Sequence, residues 1–546
     1  MTLFEQILTA RGLMTRAARQ AFLQPDYMAV KHDPFLLPDM KKAVARLKQA
    51  REQGEKIVIY GDYDIDGLSA TALLLDAFGK FGFEDVDAFI PNRFVEGYGM
   101  TMGAVDKVRD MGADLIVTVD TGSLCHAEIA YATSLGIDTV VTDHHNVAET
   151  PPPSIAAVNP KFLGHTYPFR DLCGAGVAFK LVQALQTELD GLPDGYEKWL
   201  LDLVALGTVC DIVTLADENR ANVYWGLEVL KKQQRTGLKA LMAVAGIEPE
   251  QVNARHLGFG LGPRMNAAGR LETAQHALDM LVARDGLAAL EASEKLEELN
   301  TKRRGIQDAI FEEACVQAEE LSDDRVLVVS SDGWNHGVIG IVASKLVEKY
   351  KKPVFIIGER GEEATGSARS FGDFSAADAV RAADDIIIKG GGHGAAAGVM
   401  LATEKIGDFR RRVNEFYDSL QLTNQERYLL PRADVEIDDF SEINEELVEN
   451  LAKMEPFGNG NPEPVVKITT ASVLNARRIG ADGQHVKLAL RDKNGKVLQM
   501  LAFSAPEEFF REPGDEVAAW FQPTVNEWQG VRTIEGRLLH VITSAM

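Results

Sequence analysis

The sequence predicts an α/β protein built from a parallel-sheet domain, a long connecting helix, a smaller α/β domain and a C-terminal β-barrel. In the first half, continuous Val/Ile/Leu runs alternate with helical patterns, as in a parallel sheet buried on both faces. A charged stretch then carries leucines at helical spacing, and the C-terminal part holds short alternating runs. A chain of 546 residues is too long for a single hydrophobic core, so several domains are expected. We expect four segments, at 1–285, 286–322, 323–427 and 428–546.

The composition is that of an acidic globular protein with 46% hydrophobic and 25% charged residues. The net charge of −24 argues against broad binding to polyanions but allows local basic grooves. No apolar run reaches membrane-spanning length, and the N-terminus lacks a secretory pattern, although a weak transit peptide stays an alternative. The four cysteines form no CxxC pair, which favours a reducing cytosol over disulfides or zinc–thiolate sites. We expect a cytoplasmic protein with no membrane partner.

The predicted first domain alternates strand-like and helical segments. Strands are expected at residues 56–60 (KIVIY), 113–119 (ADLIVTV) and 137–142 (IDTVVT), and a further apolar stretch covers residues 200–213. Helical patterns fall between these runs. Their approximate ranges are 68–81, 101–111, 124–135 and 174–189.

Acidic and imidazole side chains follow these runs where each one ends. The carboxyl ends of parallel strands meet at one edge of a sheet, which is where ligands bind in such folds, so we expect these side chains to share one cleft. So many carboxylates would repel one another without cations. Oxygen ligands with one or two histidines suit Mn²⁺ or Mg²⁺ better than a thiolate-binding metal. The residues are Asp62, Asp64, Asp66, Asp120, Asp143, His144, His145 and Asp211.

Two other interpretations of these acids stay open. The spacing D-x-D-x-D-G matches the start of an EF-hand loop, but its twelfth position is Leu73 instead of Glu, and a strand precedes it where a helix is required. A single aspartate at a strand end is usually a helix N-cap. Asp62 in particular fits a role in holding its loop as well as a role as a metal ligand.

The motifs resemble those of a known family. DYDIDG, VTVDTG, VTDHH and LGTVCD, in this order, are similar to the four motifs of the DHH phosphoesterases. GSARS (366–370) and GGGHGAAAG (390–398) resemble the associated DHHA1 domain. In length and in its C-terminal segment the chain is most similar to the members that are single-strand-specific exonucleases, and the resemblance covers nearly the whole chain. It implies a DHH domain, a DHHA1 domain and an OB-fold for the predicted segments.

The resemblance also implies an activity and a metal set. The activity is 5′-to-3′ degradation of single-stranded DNA by two-metal phosphodiester hydrolysis, releasing 5′-mononucleotides, in DNA repair and recombination. The two divalent cations, Mn²⁺ or Mg²⁺, would be held by Asp64, Asp66, Asp120, His144 and Asp211, with Asp62 unsettled. Asp120, alone at its strand end, is our candidate for the bridging ligand. His145 would face the substrate phosphate, with orientation of His144 as the alternative.

Further residues are predicted to bind the strand. Arg93 is a candidate phosphate clamp, and Ser367 with Arg369 resembles the phosphate-contacting pair of the family. Each kind of candidate also has a purely structural explanation. Arginines serve surface solubility, loop residues maintain loop structure, glycines allow tight packing, and tryptophans fill hydrophobic cores. The other candidates are Arg264, Asn266 and Arg270 in the loop 258–271, Gly391, Gly392 and His393 as an anion-binding turn, and Trp520 and Trp528 as stacking platforms on the barrel.

Two other functions compete with the exonuclease. One is a phosphodiesterase of the same superfamily that acts on short oligonucleotides or small nucleotides, although such substrates need no strand-gripping barrel. The other is a non-catalytic single-strand DNA-binding scaffold, although the complete acid set argues against it. The expected partners are single-stranded DNA, a single-strand-binding protein and a helicase, and the expected state is a monomer.

Overall fold

The structure is a computed structural model that describes residues 1–97, 99–480, 482–528 and 530–543, without the side chain of Trp528. The chain forms two compact bodies. The first comprises Met1–Gly269, Thr273–Glu297 and Pro431–Met546, and the second comprises Arg270–Glu272 and Glu298–Leu430. Within the described part of the chain, every helix is too short or too polar to cross a lipid bilayer.

A five-stranded parallel sheet, in the order β2-β1-β3-β4-β5, forms the centre of the first body. Its central strands β1 and β3 are buried along their whole length, as expected when helices cover both faces. The strands are β1 (Ile57–Tyr60), β2 (Val86–Phe89), β3 (Leu115–Val119), β4 (Asp138–Thr142) and β5 (Ala156–Val158).

Thirteen described helices cover this sheet and extend the body. The four predicted helical patterns correspond to α5, α6, α7 and α8 of the following list. The helices are α1 (Leu3–Ala10), α2 (Arg16–Leu23), α3 (Tyr27–Val30), α4 (Met40–Gln53), α5 (Ile65–Phe81), α6 (Met102–Asp110), α7 (His126–Ser134), α8 (Gly174–Leu185), α9 (Leu201–Cys210), α10 (Asp217–Lys231), α11 (Thr236–Val244), α12 (Gly262–Leu271) and α13 (Gln275–Val282).

The apolar stretch before Asp211 is the helix α9, so this acid follows a helix, unlike the acids that follow strands. Residues 201–208 are all buried, and a helix that is apolar on every side belongs in a core. Periodicity alone does not separate such a helix from a buried strand. A π-helical turn, His256–Leu261, precedes α12.

The long connecting helix, α14 (Gly286–Glu320), is continuous, as predicted, and contributes residues to both bodies. The second body has a five-stranded mixed sheet in the order β6-β7-β8-β10-β9. GSARS overlaps the end of β8, and the glycine-rich motif forms most of the antiparallel hairpin β9–β10. The elements are β6 (Leu327–Asp332), α15 (Ile339–Tyr350), β7 (Val354–Arg360), β8 (Glu363–Arg369), α16 (Ala376–Arg381), β9 (Ile387–His393), β10 (Ala396–Ala402) and α17 (Ile406–Ser419).

The C-terminal strands form the predicted OB-like barrel within the first body. Strand β15 pairs with both β16 and β12, which closes a barrel of five strands, and the short β11 adds to β12. Leu3, Ile7 and Leu8 of α1 belong to the hydrophobic core of this barrel. The elements are β11 (Val435–Ile437), α18 (Glu445–Ala452), β12 (Val466–Ile479), β13 (His485–Arg491), β14 (Val497–Ala502), β15 (Glu516–Trp528) and β16 (Val531–Thr543).

These architectures confirm the predicted fold class: a parallel-sheet α/β domain, a long helix, a smaller α/β domain and a closed barrel. The division at residues 285, 322 and 427 stays a prediction.

Candidate metal centre

The acids lie at the carboxyl ends of three neighbouring strands and at the end of one helix. Asp64 is the N-cap of α5, where its Oδ1 accepts the N–H groups of Asp66 and Gly67 at 2.9 and 3.1 Å. Asp120 directly follows β3 with φ of +60°, a left-handed conformation that is uncommon for non-glycine residues. Asp211 is the C-cap residue of α9.

His144 lies at the centre of the cluster. Its Nε2 is 3.0 Å from Oδ1 of Asp120, 3.6 Å from Oδ2 of Asp211 and 3.7 Å from Oδ2 of Asp66. Three sets of ligand atoms lie within 4.8 Å of one another, and Asp120 belongs to two of them. The sets are Asp62 with Asp64 and Asp120, Asp66 with His144 and Asp211, and Asp120 with His144 and His145.

Burial and mutual repulsion raise the pKa values of these carboxyl groups. Burial, followed by the charge of Asp64, raises the pKa of Asp62 to about 7 and that of Asp66 to about 6. Burial and the charges of Asp66 and Asp64 raise the pKa of Asp211 to about 8 and that of Asp120 well above its usual value. Burial lowers the pKa of His144 to about 3, which leaves a neutral imidazole.

The unpaired atoms of the cluster fit a divalent cation. Among the described residues, Oδ1 of Asp62, both carboxylate oxygens of Asp120 and Nε2 of His144 are buried without a hydrogen-bond partner. Buried polar atoms rarely stay unsatisfied, and a cation would compensate both these atoms and the charge around them. Carboxylate oxygens with an imidazole nitrogen are donors that Mn²⁺ and Mg²⁺ accept.

Two glycines provide the space that the acids occupy. A Cβ atom at Gly174 would lie 2.6 Å from Cβ of Asp120, and one at Gly207 would lie 2.4 Å from Oδ1 of Asp66. Asp66 itself accepts the N–H groups of Gly174 and Ala175, at the start of α8, at 2.5 and 2.8 Å. The sequence analysis did not select these glycines, although Gly207, inside an apolar helix where glycine costs stability, was a detectable signal.

Asp143 differs from the acids with raised pKa values because its hydrogen bonds, including one with the His145 ring, outweigh the effect of burial. Its Oδ1 accepts the backbone N–H groups of His144 and His145 at 2.7 and 3.1 Å and lies 2.9 Å from Nδ1 of His145. Burial opposes ionisation, but these bonds prevail and lower the pKa of Asp143 to about 2. Burial likewise opposes the charged form of His145, but the bond to Asp143 raises the His145 pKa to about 9. Asp143 therefore orients His145 as a cation.

A polar network behind this pair was also not predicted. Oδ2 of Asp143 accepts the N–H of Ser123 at 2.9 Å, and Oγ of Ser123 accepts the amide of Asn159 at 2.8 Å. The same amide donates to the carbonyl of His145 at 3.0 Å. Asn159 directly follows the apolar strand β5, so the strand-end rule that identified the acids would have identified it too.

Some predicted strand-binding residues lie in the first body. The guanidinium of Arg93 stacks 4.5 Å from the ring centroid of Tyr63, and its charge lowers the pKa of Asp62, so it lies beside the acids. Asn266 lines a cavity of about 590 Å³ together with Cys210 and Ile212, the two neighbours of Asp211. Arg264 instead pairs with Glu297 and donates to the carbonyl of Gly260 at 2.7 Å, so its charge is already engaged.

Other predicted residues lie in the second body. Arg270 donates to the carbonyl of Gly337 at 2.7 Å. Arg369 donates to Oγ of Ser367 at 3.3 Å and to the carbonyl of Ala368 at 2.8 Å, so the expected Ser–Arg pair is formed. Gly391, Gly392 and His393 are exposed, but they lie in strand β9, where a turn of free N–H groups was expected.

The aromatic candidates of the barrel divide into two cases. Trp520, half-buried on β15, packs against His540 at 5.5 Å and lies under the ammonium of Lys467 at 5.0 Å, which joins aromatic surface to positive charge. Trp528 ends the same strand, and its side chain lies outside the described part of the structure. Stacking by either tryptophan stays a prediction.

Three family models match separate parts of the chain. They are the DHH family, N-terminal domain, at residues 56–208; the DHHA1 domain at residues 323–419; and the RecJ OB domain at residues 433–540.

Two named bacterial proteins are similar to this chain over most of its length. The single-stranded-DNA-specific exonuclease RecJ of Bacillus subtilis is 39% identical over 96% of this chain and 66% of that protein, so the chain spans slightly less than two thirds of its length. The protein of the same name from Salmonella typhimurium is 34% identical over 91% of this chain and 89% of that protein.

Two solved structures match the fold over all or most of the chain. RecJ of Thermus thermophilus in complex with Mn²⁺ matches with a TM-score of 0.83 and 29% identity, over 100% of this chain and 79% of that chain. An exonuclease RecJ bound to manganese matches with a TM-score of 0.63 and 34% identity, over 72% of this chain and 97% of that chain.

Proposed function

The chain belongs to the RecJ family, and from this premise we propose that it is a metal-dependent single-stranded-DNA-specific exonuclease. The substrate is degraded from 5′ to 3′ by phosphodiester hydrolysis, which releases 5′-mononucleotides. The observation that carries this proposal is the set of buried carboxylates around His144, several of whose atoms have no hydrogen-bond partner among the described residues.

The cofactors are two divalent cations, Mn²⁺ or Mg²⁺. Asp64, Asp66, Asp120, His144 and Asp211 would hold them, and Asp62 fits as a further ligand because one of its oxygens is unpaired among the described residues. When bound, the cations activate water and neutralise charge on the phosphoryl group.

The residues of the chain provide positioning and proton donation. Asp120 and His144 each belong to two ligand sets, but only the carboxylate has two oxygens to offer to two cations, which supports the bridging role of Asp120. His145, half-exposed and held as a cation by Asp143, donates a proton in a hydrogen bond to a phosphate oxygen, where negative charge grows during hydrolysis. Asp143 is thus a positioning residue for His145.

The strand-binding set stays a proposal with different support for each member. In the first body Arg93 has the strongest support, because it lies beside the acids. In the second body the Ser367–Arg369 pair has the strongest support, because its two side chains are hydrogen-bonded to each other. Arg264 has the weakest support because Glu297 neutralises it. The remaining members are Asn266, Arg270, Gly391, Gly392, His393, Trp520 and Trp528.

The cellular setting is also proposed from the family. We expect action in the cytoplasm, in DNA repair and recombination, as a monomer that works with a single-strand-binding protein and a helicase. Sedimentation of the purified chain tests the oligomeric state, and a dimer would contradict the proposal.

One cleavage experiment tests the proposed function. Single-stranded DNA labelled at either end, duplex DNA, short RNA and a dinucleotide are each incubated with Mn²⁺, Mg²⁺ or EDTA. We expect stepwise loss of mononucleotides from the 5′ end of single-stranded DNA only, and no cleavage in EDTA. Cleavage confined to the dinucleotide would instead favour the small-substrate phosphodiesterase, and strand binding without cleavage would favour the scaffold.

A further inference from the structure

We propose that Lys161 binds a backbone phosphate of the DNA strand beside the acidic cluster. The inference rests on the proposed function, because it assigns a substrate contact in the same site. The residue was not selected from the sequence, and it lies in the loop that follows strand β5.

The position of Lys161 is fixed by the fold. Its strand β5 pairs in parallel with β4, the strand that ends at the Asp143–His145 run, so both carboxyl ends lie at the same edge of the sheet. The backbone N–H of Lys161 donates to Oδ1 of Asn159 at 2.9 Å. Asn159 is fully buried, and its amide is tied to Ser123 and to the carbonyl of His145. The network that orients His145 therefore also holds the backbone of Lys161.

The ammonium of Lys161 is near the acids but is not paired with them. The amide of Asn159, two residues earlier in the same loop, donates to the carbonyl of His145 at 3.0 Å, which places this loop beside the acids. Within the described residues, however, the ammonium has no hydrogen bond or ion pair of its own. The ammonium is therefore available to bind an anion.

A phosphate is the anion that fits this position. The acids require divalent cations, and a substrate phosphodiester brings negative charge to the same edge of the sheet. The ammonium stands on a half-exposed four-carbon chain, which is long enough to reach a phosphate at the edge of the cluster. The ammonium of Lys161 therefore provides a positive charge for binding the phosphate, in addition to the divalent cations.

The test compares Lys161→Met and Lys161→Arg in the full chain, with Lys48→Met, an exposed lysine on α4, as the matched control. We expect Lys161→Met to lower kcat/KM on single-stranded DNA by roughly 10- to 100-fold, the range of one charged hydrogen bond, mainly through KM. Lys161→Arg should recover most of this loss, and Lys48→Met should match the unmodified chain.

Two further readouts separate phosphate binding from a structural role. The slope of log KM against log salt should become shallower by about 0.7 in Lys161→Met, the value for one single-strand phosphate contact. Binding of Mn²⁺ alone, measured by electron paramagnetic resonance, should stay within about twofold, since a lysine that only balances the acids would alter metal affinity instead.

The outcomes are distinct. An unchanged KM and salt slope in Lys161→Met, or equal impairment of both variants, would overturn the inference. Lost Mn²⁺ affinity or thermal stability without a change in KM would assign Lys161 a structural role. If the unmodified chain fails to cleave single-stranded DNA, the proposed function itself fails, which is a separate result.

Discussion

Two clusters of buried charge contact the same helix, α8, and differ in how their charge is balanced. At its N-terminus lies the acidic cluster, whose carboxylates face one another and a neutral imidazole. Further along, Lys180 and Glu218, exposed by 1% and 4%, form an ion pair with Nζ to Oε1 at 2.6 Å. Lys180 also donates to the carbonyl of His32 at 2.7 Å, and Tyr167 donates to Glu218.

The difference separates a structural cluster from a functional one. The Lys180 cluster contains its own counter-charge and its charged atoms are all hydrogen-bonded, so it needs nothing from solution. The acidic cluster has more carboxylates than the nearby cations His145 and Arg93 can balance, and the raised pKa values of its carboxyl groups record that imbalance. Burial alone therefore does not mark a site; buried charge of one sign does.

The largest expected effect is on catalysis. Asp120→Asn keeps the shape of the side chain, and asparagine tolerates the left-handed φ of +60°. Loss of the proposed bridging carboxylate should lower the rate of DNA cleavage on the order of 10⁴-fold or more, because both proposed metal positions would lose a ligand. Single-turnover cleavage of labelled single-stranded DNA measures this.

Stability should change in the opposite direction in this variant. A carboxyl group whose folded pKa is raised costs stability once the pH exceeds its unfolded pKa, so removing it should raise Tm in EDTA at pH 7. Added Mn²⁺ should raise the Tm of the unmodified chain more than that of the variant. A variant with lower Tm in EDTA would contradict the idea that Asp120 is uncompensated.

Substitutions in the Lys180–Glu218 cluster should change the free energy of unfolding and leave the cleavage rate unchanged. Lys180→Met leaves Glu218 buried without its cation, which should lower the free energy of unfolding by about 3–5 kcal/mol. The double variant Lys180→Met/Glu218→Gln should recover part of this loss. Denaturant unfolding measures both, and the cleavage rate of the folded fraction should be unchanged. A large change in that rate would break the proposed separation between the two clusters.

Arg220 is a third kind of buried charge, balanced by dipoles. Burial lowers its pKa to about 10, and its guanidinium donates to the carbonyls of Phe22, Met454, Glu455 and Pro456. Arg220→Lys keeps the charge but lacks the donors for all four carbonyls, so we expect a loss of about 2 kcal/mol in unfolding free energy. Arg16→Lys, on the exposed face of α2, is the control and should lose less than about 0.5 kcal/mol.

The smallest effect concerns the space around Asp66. Gly207→Ala would place a Cβ atom 2.4 Å from Oδ1 of Asp66 and should weaken Mn²⁺ binding by roughly tenfold. Gly79→Ala in α5, where the new Cβ meets nothing within 4 Å, should leave binding unchanged and add about 0.5–1 kcal/mol of stability. Equal Mn²⁺ affinity in the two variants would show that Asp66 does not need its present position.

Sequence reasoning reached the acids because the geometry of parallel strands is regular. Asp64, Asp120 and Asp143 follow runs whose direction and neighbours could be inferred, so their convergence followed from topology. Asp211 was also predicted as a site residue. The segment before it could not be identified as a helix, because a wholly apolar run fits a helix or a strand.

What sequence reasoning missed depends on tertiary packing. The role of Gly174 follows from the close approach of α8 to Asp120, which no local pattern records. Arg264 was predicted to bind phosphate, but it forms an ion pair with Glu297, which lies more than thirty residues away in the sequence. Phe521, the neighbour of the stacking candidate Trp520 on β15, is fully buried in the barrel core.

The contact of α1 with the barrel has a consequence for biosynthesis. The backbone N–H of Leu3 donates to Glu442, 439 positions later, at 2.7 Å, and Arg11 pairs with Asp434. At roughly 5–20 residues per second, a ribosome needs about 20–90 s to make the second partner of these pairs after the first. During translation the apolar face of α1 therefore has no barrel to cover it until the strands of the barrel have been made.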